Sequence, residues 1–251
     1  MTRIVWNGVC RTLGRAIAFA LPPRCPGCGA IVADDHLFCL GCWGALDMLG
    51  RPACAVCAEP LGAMAHDEAR CGPCLAEPPP FTTARAAVAY GPIARALALK
   101  LKYRRRTGLA VTMARLMRRR VGAIDDMLVM PVPLHRRRLW GRGFNQSALI
   151  ARALVRTSGG SLAVDALVRR KATPVLRGLG PSGRSRAVAG AFAIAPEWAD
   201  RVKGRRILLV DDVYTTGATV SGCARLLKRA GAGEIHVLCW ARVVRNRDEE
   251  R

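Results

Sequence analysis

Ile207-Leu208-Leu209-Val210-Asp211-Asp212-Val213-Tyr214-Thr215-Thr216-Gly217-Ala218-Thr219 is the stretch on which the reading of this chain turns. Four aliphatic residues in succession predict a strand buried on both faces. Two carboxylates follow at its C-terminal end, then a threonine- and glycine-containing turn, then a helical pattern from Thr219 to Ala230. A strand, an acid pair and a Gly/Thr turn opening a helix make an anion site. Backbone N–H groups of the turn and the helix N-terminus favour a phosphate. The hydroxyls of Thr215, Thr216 and Thr219 add donors, and Asp211 and Asp212 can accept from sugar hydroxyls, as an acid does for a ribose in nucleotide folds. The bland alternative is a buried strand whose polar end only caps a helix. A lone Asp-Asp or Thr-Thr-Gly would support no more than that, whereas the whole run meets the context that the ligand reading requires.

The neighbouring segments place this strand in an alternating series. Strands are predicted at Ala84–Tyr90, Leu128–Val132, Ala163–Val168, Ala191–Ala195 and Ile235–Ala241, and helices at Ile93–Tyr103, Leu109–Val121 and Ser147–Thr157. Gly231 is placed to end the helix that follows Thr219. Arg169 to Arg186, rich in Gly, Pro, Ser and Arg, reads as a mobile loop, and the polar residues after Arg242 as a frayed end. Alternating strands and helices argue for an α/β parallel sheet. Ligands of such sheets bind at the C-terminal ends of the strands, where Asp211 lies.

At 251 residues and 51% hydrophobic content the chain has material for one or two domains with a real core. No apolar run approaches the roughly 18–20 residues that span a bilayer. Residues 1–24 carry Arg3, Arg11 and Arg15 among apolar residues. That interruption argues against an export signal. Val5, Val9, Leu13 and Ile17 at four-residue spacing predict an amphipathic helix, packed on its neighbour or lying on a membrane surface. The net charge of +22 is unevenly placed: residues 1–80 sum to −1 and residues 81–251 to +23. Charge so divided separates two regions and points to a polyanionic partner for the second. Between Arg95 and Val164 sixteen Lys/Arg face two acids. The aromatics there, Tyr103, Trp140 and Phe144, are few for a single-strand stacking platform.

Eight of the eleven cysteines form four C-x-x-C pairs, Cys25/Cys28, Cys39/Cys42, Cys54/Cys57 and Cys71/Cys74. Two such pairs close a tetrahedral four-thiolate site, and the Pro/Gly-rich knuckles fit zinc ribbons, so two structural zinc ions are expected. Sequential pairing is the simplest arrangement, and interleaved pairing stays open. Disulfides would require an oxidising compartment, a redox C-x-x-C would occur once, and iron–sulfur ligation suits these turns less well. His36 and His66 read as surface residues, because the cysteines complete both sites. Cys10, Cys223 and Cys239 read as apolar packing. Glu77-Pro78-Pro79-Pro80 closes this part as a stiff boundary.

Two resemblances follow from these residues. The Ile207–Thr219 stretch is similar to the phosphoribosyl-pyrophosphate (PRPP) motif of type I phosphoribosyltransferases. The segment from Val132 through Arg142-Gly143-Phe144-Asn145-Gln146, with the four C-x-x-C pairs and the basic loop, resembles the competence protein ComF family over essentially the whole chain. The resemblance implies a double zinc ribbon at 25–77 and, at 81–245, a type I phosphoribosyltransferase-like parallel sheet with flanking helices. It implies a 5′-phosphate at Thr215, Thr216, Gly217, Ala218 and Thr219, ribose hydroxyls at Asp211 and Asp212, and pyrophosphate with Mg²⁺ near Arg136, Arg137 and Arg184. The closing loop departs from the family at Leu176 and Ala187, where Gln and Asn are usual. The implied roles are a cytoplasmic phosphoribosyltransferase or PRPP-binding protein linked to DNA uptake, or a single-stranded DNA-binding competence factor whose nucleotide site is not catalytic. Other competence proteins are implied partners. A zinc-ribbon interaction module on an inactive scaffold is the third reading, against which the intact acid pair and Thr-Thr-Gly stand.

Overall fold

The computed structural model of the chain describes residues 22–171 and 190–244. The expected N-terminal helix up to residue 21, Cys10, the basic loop with Leu176, Arg184 and Ala187, and the tail from residue 245 lie outside the described residues.

The strand read first is the middle of a five-stranded parallel sheet. Strands β1 (Thr83–Ala89), β2 (Leu128–Pro131), β3 (Ser161–Leu162), β6 (Ile207–Tyr214) and β7 (Ile235–Arg242) lie in the order β1-β7-β6-β2-β3. Alternation along β6 fills two cores. Ile207 and Leu209 enter one with Val220, Cys223, Ala224 and Leu227 of α7 (Ala218–Arg229). Leu208 and Val210 enter the other, with Leu97 and Leu101 of α3 (Pro92–Tyr103), Met113 and Met117 of α4 (Leu109–Arg118), and Ile150 and Leu154 of α6 (Gln146–Ser158). Each fully buried aliphatic side chain of this kind contributes about 1.5–3 kcal/mol. A sheet covered on both faces explains why β6 begins as a continuous apolar run.

The helix ends are set by local chemistry. Pro92 starts α3 at the position where its missing N–H is no loss. The α7 C-terminus is closed by Gly231 at φ +85°, with Gly231 N–H donating to Lys228 O (3.0 Å) and Ala232 N–H to Leu227 O (3.0 Å), a Schellman arrangement. The helix expected over Leu109–Val121 stops at Arg118 in a basic last turn.

Of the predicted strand Ala163–Val168 only Leu167 and Val168 lie in a strand. Ser161–Leu162 extends the parallel sheet, whereas β4 (Leu167–Arg169) pairs antiparallel with β5 (Phe192–Ile194). The break lies at exposed Val164 and Asp165, where Asp165 accepts a hydrogen bond from Trp198 Nε1 at 3.1 Å. This antiparallel pair flanks the segment 172–189. Arg136 to Arg138 open a seven-residue helix, α5 (Arg136–Arg142), capped by His135.

The cysteine-rich part covers the free edge of β1. Ala89 N–H donates to Asp47 O (2.8 Å), Leu49 N–H to Ala87 O (3.2 Å), and Ala84 N–H to Val56 O (2.6 Å). Its two short helices, α1 (Leu40–Gly44) and α2 (Gly72–Ala76), begin after Cys39 and Cys71, so that half of each thiol set stands at a helix start.

Candidate functional site

Connections leave β2 and β6 in opposite directions. β2 passes through α6 to β3, and β6 passes through α7 to β7 on its other side. The crevice beyond the C-terminal ends of these two strands is the topological switch point, where such sheets hold ligands. Every predicted polar residue of the opening stretch lies there.

The two adjacent acids face opposite ways, as strand periodicity requires. Asp211 lines a recess together with Tyr214, Thr215, Thr216, Gly217, Ala218 and Thr219. It is half-buried, and its Oδ1 accepts from Ser147 Oγ and from the Asp212 N–H, both at 2.9 Å. Burial first, and then the charge of Asp212, push its carboxyl up to about 7. Asp212 is buried at 4% exposure. Its Oδ1 accepts from Gln146 Nε2 at 3.2 Å, and its Oδ2 pairs with the Lys102 ammonium. Burial pulls the Lys102 ammonium down, but the charge of Asp212 outweighs it and raises the group above the ordinary lysine value. One acid of the pair is thus open to a ligand and the other is bound into the protein.

Gly217 makes the turn. It sits at φ +76° as the N-cap of α7, and a β-carbon there would lie 2.4 Å from Tyr214 Oη. Glycine is required both by backbone conformation and by space. Thr215 is exposed and Thr216 half-buried beside it. A phosphate at this helix start would meet backbone N–H groups, threonine hydroxyls and the positive end of the helix dipole. Arg136 and Arg137 stand exposed on α5, directly after the end of β2. Arg169 lies behind them, 9% exposed with its guanidinium 5.4 Å from the Phe192 ring centre. Burial and the charge of Arg138 lower its pKa, and Asp211 opposes them.

The eight cysteines form two separate tetrads, Cys25/Cys28/Cys39/Cys42 and Cys54/Cys57/Cys71/Cys74, with all sulfurs of each within 4.8 Å of one another. The pairing is sequential. The Cys28–Cys39 and Cys57–Cys71 sulfurs are 3.6 Å apart. That is far beyond disulfide length and near the edge of about 3.8 Å of a tetrahedron with 2.3 Å metal–sulfur bonds. Burial pushes the Cys25 and Cys54 thiols up, yet hydrogen bonds from knuckle backbone N–H groups prevail and bring each down to about 6. Low-lying thiols among backbone donors suit thiolate ligation. The two tetrads fit two zinc ions in closed sites. His66 is exposed, and His36 bonds to Thr112 Oγ1 at 2.9 Å, so neither belongs to a tetrad.

The double zinc ribbon domain matches residues 16–75, and the phosphoribosyl transferase domain matches residues 182–251. The DNA utilization protein YhgH of Escherichia coli K12 is 34% identical over 218 residues, covering 82% of this chain and 93% of its own. Competence protein F of Haemophilus influenzae is 30% identical over 230 residues, covering 87% of this chain and 96% of its own. The chain belongs to the ComF family. A hypoxanthine phosphoribosyltransferase from Staphylococcus aureus overlaps 53% of this ComF-family chain and 60% of its own, at 14% identity and a TM-score of 0.32.

Four site residues of this ComF-family chain went unassigned in the sequence. Gln146 and Ser147, in the first turn of α6, are the side chains that hold the acids. Asn145 sets them: its Nδ2 donates to Val132 O at 3.0 Å, and its Oδ1 accepts from Ser147 N–H at 3.0 Å. The Asn-Gln pair stood in the family-like segment, so its signal was present without a role. Lys102 carried no signal, since a helix pattern does not say which lysine points inward. Cys223 and Cys239 are fully buried, as expected of packing residues. Among the described residues no helix is long and apolar enough to cross a membrane.

Proposed function

We propose that this chain binds PRPP at the switch point. The recess shared by Asp211 and the Thr215–Thr219 turn carries this reading, because it joins one open carboxylate to a helix-start phosphate cradle. The turn takes the 5′-phosphate through backbone N–H groups and hydroxyls. Asp211 accepts from a ribose hydroxyl, while Asp212 holds Lys102 and Gln146 and keeps the floor of the site rigid. Arg136 and Arg137 with Arg184 are the cations assigned to the pyrophosphate. A half-exposed carboxylate suits magnesium that arrives on a pyrophosphate and uses few protein ligands. In a transferase step the anomeric C–O bond breaks, pyrophosphate leaves with the electron pair, and a nitrogen nucleophile forms the new bond. Reduced thiols in both tetrads favour the cytoplasm. Calorimetry of PRPP with Mg²⁺ on wild type and Asp211→Asn tests the site: a heat for wild type that is lost in the variant is expected, and equal heats would sink the assignment. Pyrophosphate release with a panel of bases or ammonia then separates turnover from binding.

A second reading, single-stranded DNA binding, is favoured by a different surface. A cleft of about 420 Å³ between the first tetrad and α3–α4 is lined by Arg24, Lys100, Arg104 and Arg106, with Asp35 as the acid among its lining residues. Beyond it, Tyr103 is 70% exposed beneath Arg142, and Trp140 on α5 is 86% exposed. Cations beside exposed aromatic faces are what a single strand needs. Affinity for oligo(dT) should fall with salt at about −0.7 in log–log slope per neutralised phosphate, and Tyr103→Ala/Trp140→Ala should weaken it. A slope near zero would remove this reading.

A further inference from the structure

The second tetrad is joined to the phosphate turn by an unbroken line of contacts. Its first knuckle, Cys54-Ala55-Val56-Cys57, gives three carbonyls to the sheet. Arg85 donates to Ala55 O at 2.9 Å and to Val56 O at 3.3 Å, and Arg242 Nη1 donates to Cys57 O. Arg242, from the end of β7, also pairs with Glu59, and the two side chains are 2% and 6% exposed. The Arg242 guanidinium carbon lies 5.0 Å from the Tyr214 ring centre. Arg242 and Tyr214 are register partners on β7 and β6. Tyr214, 8% exposed, ends against Gly217, leaving no room for a β-carbon on the residue that shapes the turn.

Cys57, Arg242, Tyr214 and Gly217 are all buried, so a displacement at one end of that route is passed on as a packing change rather than absorbed by solvent. The Cys57 carbonyl is fixed in space by its own thiolate. Tetrahedral closure of the four sulfurs therefore sets where Arg242 is held, how Tyr214 lies, and how much space Gly217 has. The first tetrad's contacts run elsewhere, through Lys100 to Pro26 O and Gly27 O on the side of α3.

We propose that Arg242 and Tyr214 are positioning residues that couple the second cysteine tetrad to the phosphate turn, so that metal occupancy there sets how tightly a sugar 5′-phosphate is held. The proposal rests on the reading of that turn as the PRPP site. Coupling between two sites is reciprocal. A phosphate seated on the turn must hold the second metal more firmly, by the same factor that the metal strengthens phosphate binding.

The experiment is equilibrium competition for zinc between the full chain and a chromophoric chelator, with and without saturating PRPP and Mg²⁺, beside calorimetry of PRPP on the same protein. PRPP is expected to tighten the binding of one of the two zinc equivalents about 5-fold or more, the lower end of ordinary coupling factors, and to leave the other unchanged. Tyr214→Leu, which spares both tetrads and both acids, should bring the tightening below about 2-fold. Tyr214→Phe, which removes only the hydroxyl against Gly217, should fall between and keeps the test valid if the leucine variant does not fold. PRPP that binds wild type without changing either zinc affinity overturns the coupling alone. Full tightening retained in the tyrosine variants overturns the assigned route. No PRPP binding to zinc-loaded wild type removes both the coupling and the ligand reading beneath it.

Discussion

The two cysteine tetrads have the same plan and opposite settings. In the first, Cys28 is exposed, and the knuckle touches the rest of the protein through Lys100 on α3 and the His36–Thr112 hydrogen bond on α4. In the second, all four cysteines are buried, and the knuckle carbonyls are satisfied by Arg85, Ala84 and Arg242. A C-x-x-C pair fixes the local turn and the ligand set, but its surroundings decide what else the site supports. The first tetrad is a solvent-facing clasp on one sheet face. The second is part of the interior at the sheet edge, beside the C-terminal ends of β6 and β7.

The largest effect expected from this contrast is on folding. Structural zinc binding is worth on the order of 10–16 kcal/mol in small ribbon-like modules, as large as the whole net stability of an ordinary domain, about 5–15 kcal/mol. Cys57→Ser should therefore abolish cooperative thermal unfolding of the whole chain, because the sheet edge loses its cover with the metal. Cys28→Ser should lose zinc to the same extent, one equivalent, yet keep a cooperative transition from the sheet. Equal collapse of both variants in calorimetric scans, at equal zinc loss, would erase the distinction.

The next effect isolates side chains from metal. Glu59→Gln leaves the buried Arg242 without its counter-charge, a change that typically costs about 3–5 kcal/mol. Lys100→Ala at the first tetrad removes hydrogen bonds from a half-exposed lysine and should cost about 1 kcal/mol. Urea unfolding of the two variants with both zinc sites loaded gives the comparison directly. A Glu59→Gln penalty no greater than that of Lys100→Ala would contradict the interior role of the second tetrad.

How much of this was legible follows the same division between local pattern and tertiary context. Strand β6, its acid pair and the Gly/Thr turn were readable because a buried parallel strand writes its period into consecutive residues. The ligand count of the tetrads was readable from spacing, but their sequential pairing was left open, since thiol spacing does not encode proximity. Lys100 and Lys102 show the limit well. Two residues apart on α3, they point to different sides, and one reaches the ribbon carbonyls while the other reaches Asp212. Nothing in the local sequence separates them. The strand expected over Ala163–Val168 failed for a related reason: its apolar residues are interrupted by Asp165, and Val164 and Asp165 lie at an exposed bend that sends β4 into a different sheet.

An inside-versus-outside contrast recurs at the acids, with a smaller effect and a pH signature. Asp211 is raised to about 7 by burial and by the charge of Asp212. An unfolded aspartate titrates near 3.9, so between about pH 4 and pH 7 the unfolded chain has lost a proton that the folded chain retains. Stability contributed by this group is full below about pH 4 and falls as pH rises to about 7. Asp211→Asn should therefore be more stable than wild type at pH 8 and equal to it near pH 4. Asp212→Asn should be less stable at pH 8, since it strips Lys102 of its partner. Thermal scans across pH decide it, and a pH-independent difference between Asp211→Asn and wild type would show that the carboxyl is ionised throughout.

The smallest expected effect returns to the first tetrad's clasp. His36 is half-buried, and burial, aided by the positive charge of Arg115 on α4, lowers its pKa below the ordinary histidine value, with Asp35 opposing. The neutral ring is the form that suits the contact with Thr112. Below about pH 6.5 the unfolded histidine takes up a proton that the folded one resists, so this contact contributes stability at neutral pH and loses it as pH falls. The loosening should be local, because the side chains that hold the second tetrad's first knuckle to the sheet are those of Arg85 and Arg242. Hydrogen exchange at pH 5.5 and pH 7.5 reads it: faster relative exchange around Cys39 and α4 at the lower pH, without change around Cys57, is the expected pattern. His36→Gln keeps a hydrogen-bonding side chain without a titrating group and should flatten the dependence. Persistence of the full pH effect in that variant would assign it to the cysteines and not to the clasp.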